Sequence, residues 1–172
     1  PLALLVVVLW LGLVRSGIND IGLIVNDTPG EITSLARPAP LFSAKSLDGT
    51  VIDISQLKGK VIMIDFWSSW CKPCESEAPI LSRTFSKYPH EDIAFVGIAI
   101  WDKTDDVEEF LDKFDSTYPT VIDRTGVIAI RYGVIGIPEK YFIDRNGSIV
   151  AKYIGPINED TLEQVLDSMI QN

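Results

Sequence analysis

The chain has 172 residues, is 47% hydrophobic and 23% charged, and carries a formal net charge of −9. That size suits one folded domain plus an appendage, with the composition of a soluble protein that has an apolar bias. The acidic balance excludes a function built on a basic, nucleic-acid-binding surface, and two cysteines are too few for a small fold stapled by several disulfides.

LALLVVVLWLGLV, Leu2 to Val14, is an uncharged apolar run closed by Arg15. It is shorter than the roughly 20 residues of a membrane-spanning helix and has the length of a signal-peptide core. No clear small-x-small cleavage site follows it, so residues 1–15 read as an uncleaved membrane anchor in preference to a removed signal. Residues 16–37 read as a linker: SGIND and NDTPGE are rich in turn formers and lack periodicity. A single domain is expected over residues 38–172. Arg37-Pro38-Ala39-Pro40 enters it in extended form, and LFSAKSLDGTVIDISQLKGK forms a hairpin around Asp48-Gly49 as an N-terminal extension.

KVIMIDFW, Lys60 to Trp67, is a continuous apolar run that suits a central strand buried on both faces. A helix follows from about Cys71 to Tyr88. Asp92 to Ile100 is a second buried strand. Thr104 or Asp105 caps a helix whose apolar face holds Val107, Phe110, Leu111 and Phe114. The acidic run from Asp102 to Glu109 reads as a solvated helix start. Thr120 to Asp123 is a short strand, and GVIAIRYGV a short helix or turn. KYFIDRNGSIVAKYI is a hairpin with a type I′ signal at Asn146-Gly147. The last helix, Glu159 to Ile170, places Leu162, Val165, Leu166 and Met169 on one side. The order βαβαβ then ββα gives an α/β fold, a mixed central β-sheet flanked by helices.

Both cysteines lie in DFWSSWCKPCESEAP, Asp65 to Pro79. With Cys71 where strand gives way to helix, unpaired backbone N–H groups and the helix dipole favour its thiolate, the nucleophilic form. Lys72 adds positive charge, and Pro73 fits the first helical turn. Cys74 lies one turn on, within reach of a short disulfide, and is expected to be the more buried of the two. Cys71 is then the attacking thiol and Cys74 the resolving one. A zinc site would need two further ligands, and the only histidine is His90. An inert bridge closing so short a loop would constrain the unfolded chain little. A redox dithiol is the reading preferred, with no metal and no cofactor. Glu77 shares a helix face with Cys74, and Asp65 sits on the strand just before the dithiol. Either carboxylate can take the proton of Cys74; as plain structure, Glu77 is a first-turn helix charge and Asp65 a hydrogen-bonded surface residue. Glu75 reads as surface charge. Trp67 and Trp70 are expected to pack around the site, with Trp70 offering an apolar rim to a partner polypeptide.

DFWSSWCKPCESEAPIL resembles the active-site segment of thioredoxins: Asp-Phe-Trp on a strand, Trp-Cys-x-Pro-Cys, and a helix with proline five residues after the second cysteine, here Pro79. YGVIGIPEKYFIDRNG resembles the segment in which that superfamily places a cis-proline beside the dithiol, and Pro138 matches it. Gly-x-Pro-Glu followed by Phe-Ile-Asp, with Glu77 three residues after Cys74, is similar to the membrane-anchored proteins of cytochrome c maturation, the TlpA, ResA and DsbE type. Those relatives usually carry asparagine where this chain has Asp65, which matches the buried aspartate of general thioredoxins instead. The resemblance covers about residues 38–171. It implies a thioredoxin-like fold and an extracytoplasmic thiol–disulfide oxidoreductase, monomeric and tethered through residues 2–14. Such a protein takes electrons from a membrane thiol donor and reduces a disulfide-bearing protein, apocytochrome c being the leading candidate. It further implies that Ile137, Pro138 and Glu139, together with Trp70, Lys72 and Pro73, meet the substrate, the backbone at Ile137-Pro138 pairing with an extended segment. The alternatives are a general reductant or oxidant of exported proteins, and a binding module or chaperone in which the dithiol is incidental.

Overall fold

The computed structural model describes residues 24–171. The expected anchor, residues 2–14, lies outside them, and among the described residues no helix is long and apolar enough to cross a membrane. The strands are β1 (Ile24–Val25), β2 (Ile32–Pro38), β3 (Ser43–Lys45), β4 (Val51–Asp53), β5 (Val61–Trp67), β6 (Ile93–Ile100), β7 (Thr120–Asp123), β8 (Gly136–Ile137), β9 (Glu139–Ile143) and β10 (Ser148–Ile154). The helices are α1 (Lys72–Lys87), α2 (Thr104–Lys113), α3 (Val127–Tyr132) and α4 (Glu159–Ile170), with a 3₁₀ turn at Ile54–Leu57.

The central sheet runs β2-β10-β9-β5-β6-β7. Strands β5, β6 and β7 are parallel, β9 runs against β5, and β10 runs against β9. Every residue of β5 is buried, as a strand without polar alternation must be when both sheet faces are covered. Its side chains divide by parity. Val61 and Met63 pack with Leu81 and Phe85 of α1 and with Leu162 and Leu166 of α4. Ile62, Ile64 and Phe66 pack with Ile52, Ile54 and Tyr132 on the other side. Each such burial removes apolar surface from water, worth roughly 1.5–3 kcal/mol per side chain.

Several details depart from the sequence expectations. The segment read as linker contains β1 and all of β2 but Pro38, and β2 pairs antiparallel with β10 as an edge of the central sheet. Its burial is only partial, so it carries no alternation to mark it, and its pairing with β10 is what makes it a strand. The β9–β10 connection is not a type I′ turn. Asp144 accepts the amide of Gly147 at 2.9 Å through its carbonyl and the amides of Asn146 and Ser148 through its carboxylate. In this loop only Gly147 has positive φ, at 86°, so Arg145-Asn146 forms the turn and Gly147 the bulge. Helix α2 begins one residue early, with Lys103 at the N-cap and no side-chain cap. The hairpin at Asp48-Gly49 forms as expected, β3 against β4.

Gly97 on β6 sits beside Asp65 of β5 in the parallel register. A Cβ there would stand 2.6 Å from Thr120 Oγ1 and 3.1 Å from Trp67 Nε1, and both neighbours are buried. Gly97→Ala is therefore expected to destabilise the chain by about 1–3 kcal/mol through overpacking, read from the urea midpoint. An unchanged midpoint would show that Thr120 gives way freely.

Candidate active site

Cys71 is the N-cap of α1, and its sulfur accepts the amide N–H of Cys74 at 3.3 Å. The helix therefore starts with a sulfur where Ser or Asp would usually sit, and its first N–H groups bear on that sulfur. Pro73 lies in the first turn, where no N–H is needed. Cys71 and Cys74 are joined as a disulfide with Cα atoms 5.2 Å apart. Contrary to expectation, Cys71 is not the exposed partner: its relative exposure is 0%, against 2% for Cys74. With the pair oxidised, Cys71 belongs to the same apolar cluster as Ile137, Phe66 and Trp67. Ile137-Pro138 is a cis peptide bond.

The loop before the dithiol is held by a residue the sequence reading assigned to solvent. Asp102 is buried, at 6% exposure. Its carboxylate accepts the Ser69 amide at 2.6 Å and the Ser69 hydroxyl at 3.0 Å, while Ser68 donates to the Ile100 carbonyl at 2.7 Å. Trp70 stands 49% exposed, whereas Trp67 is buried against Phe110. Lys72 projects into solvent and binds Glu75 at 2.8 Å, and Glu75 also meets Lys113 at 3.3 Å.

Behind the dithiol three ionisable side chains are buried together. Lys140, on β9, has 0% exposure, Asp65 2% and Glu77 1%. The Lys140 ammonium donates to Glu77 Oε1 and lies 3.4 Å from Asp65 Oδ1. Glu77 Oε2 accepts the Ile157 amide at 2.8 Å, so both its oxygens are bonded. Asp65 Oδ1 has no hydrogen-bond partner. Burial raises the pKa of Asp65, and Lys140 opposes the rise. Glu77 is pushed up to about 8, first by burial, with Lys140 opposing and the neighbouring Asp65 charge adding to it. One ammonium balances one carboxylate, so the pair holds a proton that leaves only as the pH approaches that value. Asp65, Cys74, Trp67 and Tyr118 line one narrow gap with no room for a water. Asp65 and Cys74 thus border the same gap, while Glu77 is anchored to Lys140 and the Ile157 backbone.

Glu139 is buried in this structure. At 1% exposure, its carboxylate accepts the amides of Ile135 and Gly136 at 3.2 and 3.1 Å and pairs with Lys152 at 2.7 Å. It shapes the approach to Pro138 from within, because a buried carboxylate needs its acceptor sites filled. Among the described residues no group of three or more His, Cys, Asp or Glu is placed to hold a metal ion.

Residues 35–152 match the AhpC/TSA family. The chain is 33% identical over 140 residues to the thiol-disulfide oxidoreductase ResA of Bacillus thuringiensis subsp. konkukian, a match covering 81% of this chain and 80% of that protein. It is 34% identical over 133 residues to the thioredoxin-like protein YneN of Bacillus subtilis, covering 76% and 78%. Among solved structures, a thioredoxin-family thiol:disulfide interchange protein of Chlorobium tepidum superposes with a TM-score of 0.73 at 26% identity, over 80% of this chain and 99% of that one. A secreted Mycobacterium tuberculosis disulfide oxidoreductase homologous to E. coli DsbE superposes with a TM-score of 0.67 at 28% identity, over 74% and 95%.

Proposed function

From the premise that the chain belongs to the AhpC/TSA family of thioredoxin-like proteins, as a thiol–disulfide oxidoreductase of the TlpA, ResA and DsbE type, we propose that it works as a reductant. The observation that carries this reading is the buried carboxyl pair behind the dithiol. A single ammonium already serves two carboxyls there, so a further negative charge on an adjacent sulfur is disfavoured and the reduced form gains little from thiolate formation. A dithiol whose reduced form is not stabilised gives up its electrons readily.

In the proposed cycle the Cys71 thiolate attacks a polypeptide disulfide, and one substrate sulfur leaves as thiolate. Cys74 then attacks Cys71 Sγ, displaces the second substrate sulfur and closes the Cys71–Cys74 disulfide. Its thiol proton passes to Asp65, which borders the same gap as Cys74. The helix face shared by Glu77 and Cys74 favours Glu77 when the sequence alone is read; the gap that Asp65 shares with Cys74 instead supports Asp65 as proton acceptor, with Glu77 and Lys140 positioning it. We further propose an extracytoplasmic location, tethering through residues 2–14, a membrane thiol donor that restores the dithiol, and a monomeric working form. Trp70, Lys72, Pro73 and the Ile137-Pro138 backbone would meet the substrate, apocytochrome c being the candidate favoured by the resemblance.

Reduction of a disulfide-bearing peptide with the haem-attachment pattern C-x-x-C-H tests the reading, run beside an unrelated disulfide protein. Preference for the peptide supports the maturation role. Equal rates support a general reductant. No Cys71-dependent reduction of either would leave a binding module and sink the proposal.

Asp65→Asn should slow closure of the Cys71–Cys74 disulfide about a hundredfold, the usual scale of a lost proton acceptor. The mixed disulfide should accumulate, and the closure rate should keep rising with pH as hydroxide replaces the carboxylate. Rapid-quench measurement across pH checks both, and an unaltered pH profile would return Asp65 to a structural role.

A further inference from the structure

Strand β1 pairs with β8 alone among the described residues, in parallel, Ile24 beside Gly136 and Val25 beside Ile137. The Asn26 amide donates to the Ile137 carbonyl at 2.7 Å, and its side-chain Nδ2 to the Pro138 carbonyl at 3.4 Å. Ile24 donates to Ile135 at 3.4 Å. Two glycines on the surfaces that meet residues 24–30 permit a close backbone approach. A Cβ on Gly136 would stand 2.5 Å from the Ile24 carbonyl oxygen, and one on Gly155 would stand 2.2 Å from that of Thr28. On the segment's own side, a Cβ on Gly30 would come within 2.0 Å of the Ile154 oxygen. The segment is thus fitted closely by its backbone, while the side chains of Ile24 and Val25 remain 57% and 40% exposed. Contacts that bury little apolar surface open at low cost.

The position matters because Ile137 packs in the same cluster as Cys71, whose sulfur-bearing side chain has no exposed surface. A partner cannot reach it until something moves. We propose that Ile24–Asn26 is an intrachain stand-in for an extended polypeptide segment: it occupies the Ile135–Pro138 edge in the oxidised chain and is displaced when a disulfide-bearing polypeptide docks there by strand addition. The partner's identity as a polypeptide rests on the reading above; the displacement does not.

Asn26→Pro removes the N–H that bonds Ile137 and keeps the preceding residue extended. In the reduced, full-length chain it should speed alkylation of Cys71 by iodoacetamide at least about fivefold, the scale of one backbone hydrogen bond, and speed reduction of a polypeptide disulfide by a similar factor. If alkylation accelerates but neither chain reduces a polypeptide, the covering segment stands and the reductant reading falls. If neither rate changes in a variant with unaltered melting temperature, the proposal is overturned. A second measurement does not alter the segment. A Cys74→Ser chain is trapped as a mixed disulfide with a short cysteine-containing peptide supplied in activated form, and hydrogen exchange of the Asn26 amide is followed. Exchange at least about tenfold faster than in the free oxidised chain is expected; retained protection in the trapped complex would show that peptide and segment do not share the edge.

Discussion

Replacing Lys140 by methionine should cost about 3–5 kcal/mol of stability at pH 8, the scale of removing one partner from a buried ion pair, and clearly less at pH 5. The pH dependence follows from the two carboxyls it serves. Asp65 and Glu77 have folded-state pKa values raised above 3.8 and 4.5, Glu77 to about 8, with burial the largest cause in each. An acid raised on folding contributes most to stability while it is protonated in both states, below its unfolded value, and that contribution is lost as the pH climbs through the folded value. The unaltered chain should therefore already weaken from about pH 5 to pH 8. Without the ammonium the second carboxylate has no counter-charge, so the slope over the same window should steepen. Adding Glu77→Gln to Lys140→Met removes one of the two acids and should recover much of the loss. Urea unfolding of all three chains at the two pH values decides it. An equal loss at pH 5 and pH 8 would mean that Lys140 acts only by filling space.

The second large effect separates the two sulfurs. Cys71→Ser should lower polypeptide reduction by more than about a thousandfold, as loss of a nucleophile does. Cys74→Ser should still attack once and then stall as a covalent adduct, because nothing remains to displace Cys71. The adduct is visible on a non-reducing gel and by mass. The order rests on the Cys74 N–H aimed at Cys71 Sγ across the first helical turn, which favours negative charge on Cys71 in the reduced state. Adducts forming on Cys74 in a Cys71→Ser chain, at a rate comparable with the reverse variant, would invert the assignment.

Where local pattern and tertiary burial agree, the chain could be read directly. The unbroken apolar run of β5, the Asp48-Gly49 hairpin and the strand–Cys-x-x-Cys–helix unit all emerged with nearly their observed bounds. What escaped was set by partners distant in sequence. ITSLARP reads as linker because its burial is partial and its hydrogen bonds lie on β10. Lys140 in EKYFI looks like a polar residue on a strand. Its burial depends on Glu77, 63 positions away, and no local pattern encodes that. Asp102 was hidden in the same way, by an acidic run whose other members lie on or beside α2 while Asp102 turns inward to Ser69. The burial of Cys71 is not legible in sequence, because helix-terminus geometry speaks to a sulfur's charge and says nothing of what lies over it.

The alternation of charge along β9 has a consequence for how the sheet assembles. Glu139 and Lys140 are adjacent, both buried, and point to opposite faces, one toward Lys152 and the other toward Asp65 and Glu77. In the observed register Lys140 stands opposite Asp65 and Glu139 opposite Phe66. Sliding β9 by a single residue would exchange the faces. Three carboxylates would then crowd one pocket, and two ammonium groups would meet in the other. An apolar strand such as YFI alone would tolerate a slipped alignment with modest loss of packing. The charge pair makes the misaligned sheet electrostatically forbidding, so the buried groups behind the dithiol also act as a checksum on the strand register that places them.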